Sequence, residues 1–527
     1  MGGHVFIIRG DLTRLYCDAW LLPTDYSFEI MEHWRKVPGL EKGWTGPASE
    51  AWENGTSRVL RIEDWDRNKP RPWLVHTGGG PFATPQWHAE GVREFVRTAA
   101  RDLRNRQDGI TKRAKPLLAL PFPGTGAGGA RDRAGDLLPI LVKTLHEESL
   151  QEDVDIAFTT NKGGDYAAAM HARKCLEGSG TFAWPSDLSA ELKGVGKSLA
   201  DSIKEGGLVL FLGSGVSAGA GLPTWDGLLE KLAIKAGVFN CEGADSERTR
   251  QDFKRLNYLD QAHLISDLFV EMKQDIGQEI AKQFSAHTHY ALAHAILAAM
   301  QVNEIITTNY DTLFEEASAV AGMTPPRVLP YNPTLAGNRW LLKLHGCVTR
   351  PKDIVLTRSD YLRYDDKRAA LKGIVQAMLM TRHMLFVGFS LRDENFEKII
   401  DDVRKAIRGD LTENPQDEEV PFTTTLMPST NSFLQKLWRK DVNWVNFERS
   451  GGLSESARLQ EIFLDYLASI STSYTAHLID PRYDGVLSEG EKALREALLE
   501  LVDNVGEEVK NTPAWGEVEA LFRRLGG

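Results

Sequence analysis

Cysteine is scarce in this sequence. The 527 residues include four cysteines, and no two of them lie closer together than Cys175 and Cys241. Structural zinc sites usually take their thiolates from CxxC pairs, and disulfide frameworks need dense cysteine. We therefore expect neither a zinc ribbon nor a disulfide scaffold, and predict reduced, mostly buried thiols at Cys17, Cys175, Cys241 and Cys347.

Long apolar runs are also missing. No stretch approaches the roughly 20 apolar residues that a bilayer-spanning helix needs. The opening residues MGGHVFIIRGDLTRLY lack the apolar core of a secretion signal. These absences predict a cytoplasmic protein that does not act at a membrane.

Positive charge is in deficit. The 62 Lys and Arg residues are outnumbered by 73 Asp and Glu residues, which gives a formal net charge of −11. Because phosphate backbones are bound by basic surfaces, this balance argues against nucleic acid as a partner. Hydrophobic residues make up 42% and charged residues 26% of the chain, as in ordinary globular proteins. The length predicts two to four domains.

Strand-like and helical runs alternate along most of the chain, and this alternation predicts an α/β fold. It falls into two units, at 1–178 and 190–455, with the Gly-, Ser- and Pro-containing stretch LEGSGTFAWPSD as a linker between them. A helical insert at about 228–302 interrupts the second unit. Residues 456–527 are predicted to form a helical C-terminal region.

One apolar stripe in that C-terminal region has two interpretations. The sequence SEGE at Ser488–Glu491 predicts a capping box. Leu494, Leu498, Leu501 and Val505 then recur at the spacing of one helix face. We predict that this stripe packs into the core, with a docking or oligomer surface as the alternative.

The stretch LVLFLGSGVSAGAGLPTW, at 208–225, joins a buried strand to a run of glycines. Glycine lets backbone N–H groups approach an anion closely, so a glycine-rich loop after a parallel strand is typical of a phosphate site. Gly219, Gly221 and Pro223 break helical continuity, so we predict a longer loop than the standard dinucleotide fingerprint. A purely structural turn is the alternative.

Five motifs in order resemble those of the sirtuin family. GSGVSAGAGLPTW resembles the first nucleotide-binding motif of that family. It is followed by TNYD at 308–311, HG at 345–346, GFSL at 388–391 and Asn446. Each motif follows a predicted strand, and the carboxyl ends of strands are where an open parallel sheet binds ligands. The resemblance implies a Rossmann-like, sirtuin-like domain with NAD as its substrate.

The same resemblance assigns roles to individual residues. Asn309 and His345 match the catalytic pair of the family, and Asp311 matches an acidic position near the nicotinamide. Capping of the helix that follows is an equally good interpretation of Asp311. The matched nucleotide contacts are Gly213, Ser214, Gly215, Ser217, Gly221, Thr308, Gly388, Ser390 and Asn446.

The four-cysteine zinc module of deacylating sirtuins is missing from this chain. About forty residues separate the His-Gly and Gly-x-Ser motifs, and only Cys347 lies between them. This short, zinc-free version is similar to the sirtuin-like domains of bacterial anti-phage defence proteins. That similarity implies an NAD hydrolase that uses water as the acceptor, depletes NAD in the infected cell and binds no zinc.

The first unit resembles a macro domain. The matching stretches are VFIIRGDLTRLYCDAWLLPTD at 5–25 and LPFPGTGAGG at 120–129. By resemblance, an ADP-ribose-type nucleotide would place its adenine at Asp11 and its phosphates at Gly124, Gly126 and Gly128. Since PTD replaces the hydrolytic Asn-x-Asn segment of the family, we favour binding or sensing over hydrolysis. A degenerate unit that only packs against its neighbour is the alternative.

The same sequence features are compatible with other functions. NAD-dependent deacylation or ADP-ribosyl modification is one alternative, and a non-catalytic NAD or ADP-ribose sensor is another. By resemblance we also expect a homo-oligomer, and a regulatory protein partner that restrains a toxic activity. We interpret His287, His289 and His294 as packing or surface residues, and Asp393 and Glu394 as a helix cap and a solvated charge.

Overall fold

The fold is taken from a computed structural model. It describes residues 2–37, 40, 52, 54–78, 83–106, 109–126, 129–239, 244–335, 337–408, 421–438, 441–472 and 474–527.

The N-terminal part of the chain forms a six-stranded sheet in the order β1-β6-β5-β2-β4-β3. All neighbouring strands are parallel except β3 and β4, which are antiparallel. The strands are β1 Val5–Arg9, β2 Ala19–Thr24, β3 Val59–Arg61, β4 Arg71–His76, β5 Leu117–Pro121 and β6 Asp155–Thr160. The helices are α1 Pro85–Arg106, α2 Ala134–Glu152 and α3 Gly163–Gly178, with 3₁₀ turns at Leu12–Arg14, Glu32–Lys36 and Arg131–Arg133. This is the predicted α/β unit.

The second sheet has seven strands in the order β13-β12-β11-β7-β8-β10-β9, and all of them are parallel. The strands are β7 Leu208–Leu212, β8 Glu304–Thr307, β9 Arg327–Leu329, β10 Trp340–Lys343, β11 His383–Val387, β12 Thr423–Met427 and β13 Val442–Asn446. The first strand, β7, lies in the middle. The chain adds strands first on its β8 side and then on its β11 side, so the topology switches direction at β7.

Helices cover this parallel sheet. Those that precede and interrupt it are α4 Ala190–Lys204, α5 Ser214–Ala218, α6 Trp225–Lys235, α7 Ala244–Arg255, α8 Tyr258–Glu271, α9 Ile276–Ser285 and α10 Leu292–Ala299. Then come α11 Leu313–Val320, a 3₁₀ turn at Pro351–Asp353, α12 Arg358–Leu362, α13 Tyr364–Thr381, α14 Glu394–Arg408 and α15 Ser432–Leu437. As predicted, a helical insert lies between β7 and β8, and its bounds of about 228–302 stay a prediction. The short strands β3 and β9 were not predicted, because three residues carry too little periodicity to be recognised.

The C-terminal region is helical, as predicted. Its helices are α16 Leu453–Ser471, α17 Glu489–Asn504, α18 Glu507–Lys510 and α19 Pro513–Leu525, with a 3₁₀ turn at Pro481–Val486. The capping box at Ser488 and Glu491 is confirmed. The prediction that the α17 stripe packs into the core is wrong, because Leu494 is 51% exposed and Leu501 46% exposed. Of the four stripe residues, only Leu498 packs against the core.

The predicted linker does not behave as a flexible spacer. Phe182 and Trp184 from that stretch are buried and stack against each other edge to face. They belong to a hydrophobic core that also includes Phe6 of β1 and Leu464 of α16. The two sheets therefore share one continuous core. The boundaries 1–178, 190–455 and 456–527 stay predictions.

The paucity of cysteine and of long apolar runs is reflected in the described part of the structure. The thiols of Cys17 and Cys347 are buried and that of Cys175 is exposed, and none of these three forms a disulfide. Cys241 lies outside the described residues. Within the described ranges, the helices do not reach the length and apolar character that crossing a membrane requires.

One face of α16 carries charges into the boundary between the two sheets. Arg458, Glu461 and Asp465 follow each other at intervals of three and four residues, so they share a helix face. Arg458 binds both carboxylate oxygens of Asp155 at the start of β6, with Nη2–Oδ1 at 2.7 Å and Nε–Oδ2 at 2.8 Å. Arg113 contacts Glu461 and lies 3.0 Å from Asp155.

The second ion pair of this face is also buried. Asp465 accepts hydrogen bonds from Nη1 and Nη2 of Arg173 on α3, at 2.7 and 3.1 Å. The same carboxylate lies 2.9 Å from Nε2 of His4. All three side chains are almost completely buried. The helix that follows the second sheet is therefore fastened to the first sheet by charges that water does not screen.

We expect Asp465→Asn to destabilise the fold by about 3–5 kcal/mol, because it leaves the Arg173 charge buried without its countercharge. Urea unfolding followed by circular dichroism measures this loss. Asp201→Asn is the matched control, since Asp201 forms an exposed pair with Lys204 at 3.4 Å and exposed pairs contribute little. Equal unfolding midpoints for the two variants would contradict the stabilising role of the buried pair.

Candidate functional site

The candidate site lies at the carboxyl edge of the second sheet, around the switch point at β7. Leu212 at the end of β7 pairs with Thr307 of β8 on one side and Val387 of β11 on the other. Thr307 also pairs with Lys343 of β10. Since neighbouring strands are about 4.8 Å apart, the four loops that follow β7, β8, β10 and β11 start side by side.

The glycines of this edge bring two loops into direct backbone contact. A Cβ on Gly213 would lie 2.4 Å from the carbonyl oxygen of Gly388, and one on Gly215 would lie 2.7 Å from the Gly388 Cα. The N–H groups of Gly213 and Gly215 donate to the carbonyls of Val387 and Gly388. In this conformation these amides are therefore used within the protein rather than offered to a phosphate.

The prediction of a long loop after β7 is partly wrong. Helix α5 begins directly after the strand, at Ser214, and makes a little more than one turn before Gly219. The chain then turns through Gly221, whose φ of +82° is left-handed. Gly219, Gly221 and Pro223 do end the helix, as their conformational preferences predict, but they act one turn later than expected.

Asn309 is held by hydrogen bonds to its amide nitrogen. Nδ2 donates to the carbonyl oxygen of Gly213 at 3.0 Å and to Oγ of Ser217 at 3.1 Å. Its backbone N–H donates to Oγ1 of Thr307. Because a carbonyl can only accept, the Gly213 contact fixes which end of the amide faces the loop. The side-chain oxygen must then point the other way.

That oxygen has no hydrogen-bond donor. Oδ1 of Asn309 is buried, and no described residue offers it an N–H or O–H within bonding distance. A buried acceptor without a partner carries a desolvation cost of about 1–3 kcal/mol. Such an atom at a strand edge can bind a hydroxyl group or a water molecule.

Ser217 connects Asn309 to a buried histidine and a carboxylate. Its hydroxyl donates to Oδ2 of Asp311 at 2.8 Å and lies 3.3 Å from Nε2 of His294. Nδ1 of His294 accepts from the N–H of Ala291 at 3.1 Å, and burial lowers the pKa of His294 to about 4. His294 is therefore neutral at pH 7 and carries its proton on Nε2, which donates to Ser217. Every proton in this cluster has a defined donor and acceptor.

The geometry supports the interpretation of Asp311 as a helix cap, and its expected role near the nicotinamide stays a prediction. Its Oδ1 accepts from the N–H of Leu313 at 3.0 Å, so it caps the first turn of α11. Its Oδ2 holds Ser217, and its carbonyl oxygen accepts from the buried Lys343. Lys343 in turn pairs with Glu315 at 2.9 Å. The carboxylate is thus fully occupied by protein groups in this conformation.

His345 follows β10 and is 3% exposed. Its Nε2 lies 3.4 Å from Oδ2 of Asp393, and the ring lies against Tyr361 and Tyr364. Burial lowers the pKa of His345, and the Asp393 carboxylate opposes this shift. A neutral imidazole with an adjacent carboxylate can accept a proton and stabilise the resulting charge.

Asp393 has a second role that the sequence did not reveal. It caps α14 as predicted, since Oδ1 accepts from the N–H of Phe396 at 2.9 Å. Its Oδ2 accepts from the hydroxyl of Tyr361 at 2.7 Å and faces His345. His294 was likewise interpreted as a packing or surface residue, and its bond to Ser217 was not expected. In both cases the deciding partner is distant in sequence, so no local signal indicates it.

The remaining predicted contacts are spread along the same edge. Thr308 and Ser214 are half-buried beside Asn309 and Gly213, and Ser390 is exposed just beyond Gly388. Asn446 ends the edge strand β13, three strands from β7, and its amide is bonded to Thr430 and to the N–H of Glu448. Gly221 lies farther away, against Tyr16 of the first unit.

The first sheet has a cavity of about 940 Å³ at its carboxyl edge. It is lined by Asp11, Gly124 and Gly126, the three predicted nucleotide contacts that the structure describes, and Gly128 lies outside the described residues. Lys36 and Lys162 also reach this cavity. Its volume is in the range of nucleotide and cofactor pockets.

Metal ligands are not grouped in the described part of the chain. No three or more His, Cys, Asp or Glu side chains there are arranged to bind a metal ion.

Residues 303–441 match the family model of the SIR2-like domain. The SIR2-like segment thus includes β8, β10 and β11, and the loops after these strands carry Asn309, His345 and Gly388. The glycine loop at 213–221 lies outside this segment.

Curated relatives match a larger share of the chain than this family model does. The NAD(+) hydrolase ThsA of Enterococcus faecium is 29% identical over 217 residues, which are 40% of this chain and 43% of that protein. ThsA of Bacillus cereus (strain MSX-D12) is 27% identical over 218 residues, 41% and 43% of the two chains. Defense-associated sirtuin 2 of Bacillus subtilis is 28% identical over 218 residues, 40% and 20% of the two chains. The matched region spans less than half of each of these relatives.

Among solved structures, a point mutant of the Oceanobacillus iheyensis macrodomain matches 33% of this chain and 92% of its own, at 15% identity and a TM-score of 0.23.

We expect Gly388→Ala to destabilise the protein by about 2 kcal/mol or more. Its φ is +67°, and a Cβ would lie 2.5 Å from the backbone nitrogen of Val216. Left-handed backbone costs about 1–2 kcal/mol for alanine, and overpacking adds about 1–3 kcal/mol. Thermal unfolding measures the loss.

Gly373→Ala is the matched control, because Gly373 lies exposed within α13 with nothing within 4 Å of its added Cβ. There the same substitution should stabilise by about 0.5–1 kcal/mol. If Gly388→Ala melts at or above the wild-type temperature, the contact between the two loops is not tight.

Proposed function

We propose that this protein is an NAD glycohydrolase, which cleaves NAD to nicotinamide and ADP-ribose and acts in bacterial anti-phage defence by depleting NAD. Support comes from the relatives that are named NAD(+) hydrolase or defence-associated sirtuin, and from the SIR2-like family model that residues 303–441 match. The proposal depends most on the unpartnered Oδ1 of Asn309 at the switch point of the second sheet.

The reaction breaks the bond between C1′ of the nicotinamide ribose and the pyridinium nitrogen, and the electron pair of that bond goes to nicotinamide. A water oxygen bonds to C1′ and releases one proton. In our proposal Oδ1 of Asn309 accepts a hydrogen bond from this water or from a ribose hydroxyl and so positions it. The neutral imidazole of His345 takes the proton, and Asp393 stabilises the charge that forms.

The cluster around Ser217 serves this step by positioning. Asn309 can present its oxygen only while its nitrogen stays bonded to Gly213 and Ser217. Because His294 and Asp311 complete the hydrogen bonds of Ser217, the amide is oriented before substrate binds. Asp311 could act near the nicotinamide only if its hydrogen bonds to Ser217 and Leu313 were broken and replaced by contacts with the substrate.

The nucleotide itself would lie along the carboxyl edge, with its diphosphate at the contact between the β7 and β11 loops. The proposed contacts are Gly213, Ser214, Gly215, Gly221, Thr308, Gly388, Ser390 and Asn446. The amides of Gly213 and Gly215 are occupied in the described conformation, so binding through them requires a rearrangement of these loops. Self-assembly and a regulatory protein partner stay predictions of the resemblance.

We propose that the cavity of the first sheet binds an ADP-ribose-type nucleotide. The glycine-rich turn at Gly124 and Gly126 and the charges of Lys36 and Lys162 suit a diphosphate.

The proposed activity is tested by incubating the full chain with NAD, with and without ADP-ribose, and by quantifying free nicotinamide and ADP-ribose. We expect equal amounts of both products without any acylated peptide, and loss of turnover in Asn309→Ala. Asn443→Ala, an exposed asparagine on β13, is the control and should keep full activity. Nicotinamide release only with an acylated peptide would instead indicate a deacylase, and NAD binding without turnover would indicate a sensor.

His345→Ala should reduce the rate by roughly 10²–10⁴-fold, as expected for the loss of an acid–base group. Burial lowers the pKa of His345 below the ordinary histidine value of about 6.5. The kcat/KM of the wild type should therefore decline on the acid side with a midpoint below pH 6.5. Asp393→Asn removes the charge that opposes the shift, so it should move this decline to still lower pH. An acid limb that His345→Ala leaves unchanged would show that another group titrates.

A further inference from the structure

The cavity of the first sheet is not enclosed by the first sheet alone. Val320, at the C-terminal end of α11, is one of its lining residues. The other end of α11 begins where Asp311 caps it, two residues after Asn309. A helix of eight residues is about 12 Å long. One short, rigid element therefore reaches from the proposed catalytic edge to the wall of the cavity.

An ion pair fastens the middle of α11 to the cavity rim. Arg14 of the first unit contacts Glu316 on α11. Arg14 belongs to the 3₁₀ turn Leu12–Arg14, and the neighbouring residues Asp11 and Thr13 line the cavity. A movement of this rim would act on the helix at two points, Glu316 and Val320.

A second connection runs through Tyr290. Its hydroxyl accepts from the N–H of Asp11 at 2.8 Å and donates to the Asp11 carbonyl at 2.9 Å. Its backbone N–H donates to the carbonyl of Arg14, and its carbonyl accepts from the N–H of Tyr16. Tyr290 is completely buried. The rim of the cavity is thus bonded at four points to one residue of the second unit.

Tyr290 lies next to the histidine that positions Asn309. The following residue, Ala291, donates its N–H to Nδ1 of His294, and Nε2 of His294 faces Ser217, which holds Asn309. His294 and Ser217 are buried as well. Because a buried donor or acceptor that loses its partner costs about 1–3 kcal/mol, we expect a displacement of Tyr290 to move Ala291 and His294 rather than to break these bonds.

The described conformation is closed at the proposed catalytic edge. His345 is almost fully buried, and the amides of Gly213 and Gly215 are taken up by the β11 loop. NAD therefore needs an alternative arrangement of these loops before it can reach the imidazole. A ligand can favour that arrangement only if it interacts differently with the two states.

We propose that a nucleotide diphosphate bound in this composite cavity, against Asp11 and Val320, activates the second site through α11 and the Tyr290–His294 bridge. This inference rests on the proposed NAD hydrolysis. It assigns the cavity an effector role and makes Tyr290 and Val320 parts of the coupling. Neither residue touches the reacting atoms, so both are positioning residues.

The test combines calorimetric binding of ADP-ribose with initial rates of nicotinamide release by the full chain. We expect ADP-ribose to raise the wild-type rate at least fivefold. Val320→Glu places a carboxylate in the cavity wall and should weaken ADP-ribose binding at least tenfold, with loss of activation. Tyr290→Phe should bind ADP-ribose within threefold of the wild type but retain less than half of its activation.

Two further variants separate coupling from folding. Glu316→Gln releases α11 from Arg14 at a partly exposed position and should also reduce activation, even if Tyr290→Phe does not fold. Glu205→Gln, at an exposed residue after α4, should leave both readouts unchanged. Reciprocity gives a measurement independent of turnover: carba-NAD, which is not hydrolysed, should tighten ADP-ribose binding in the wild type, and less so in Glu316→Gln.

The outcomes distinguish this inference from the proposed function. NAD hydrolysis that ADP-ribose does not accelerate, or equal ADP-ribose binding by Val320→Glu and the wild type, overturns the inference and leaves the hydrolase proposal intact. If nicotinamide is never released, the hydrolase proposal fails. In that case, absence of any effect of carba-NAD on ADP-ribose binding would also overturn the coupling.

Discussion

The buried charges of α16 are the interaction on which the arrangement of this molecule depends. Asp155 begins a central strand of the first sheet, and its partner Arg458 comes from a helix that follows the second sheet. The pair formed by Arg173 and Asp465 repeats this connection a few residues further along α16. A buried charge without its partner is far more costly than the intact pair, so these contacts admit one relative placement of the two sheets. The same helix packs on α10, which carries His294.

At the candidate site, hydrogen bonding rather than charge sets the geometry. Asn309, Ser217 and His294 form a chain in which each group has one possible donor and acceptor assignment. The one atom left over is the acceptor Oδ1 of Asn309. Polar groups that are buried without partners are rare, and they concentrate where function requires them. Gly213, Gly215 and Gly388 let the backbones of the β7 and β11 loops contact each other directly, because a Cβ at Gly213 or Gly215 would collide with the backbone of Gly388.

Much of the fold and part of the site follow from local sequence. Apolar runs such as LVLFL and HMLFV predict buried parallel strands because both faces of such a sheet are covered. The motifs after them predict that Asn309, His345 and Gly388 lie on one edge, since parallel strands end together. The α17 stripe shows where this reasoning stops. Periodicity predicts an amphipathic helix but does not say what covers it, and Leu494 and Leu501 are exposed.

Local sequence determined most elements of this protein: which of the longer segments are strands, where helices are capped, and which strand ends carry amide, imidazole and glycine. Tertiary structure alone decided that Asp393 faces His345, that His294 supports Ser217, that Val320 reaches the cavity of the other sheet, and that α16 joins the two. The reason is physical. Strand and cap preferences act over a few residues, whereas each of these contacts joins residues that come together only when the chain has folded, and burial then gives the contact its strength.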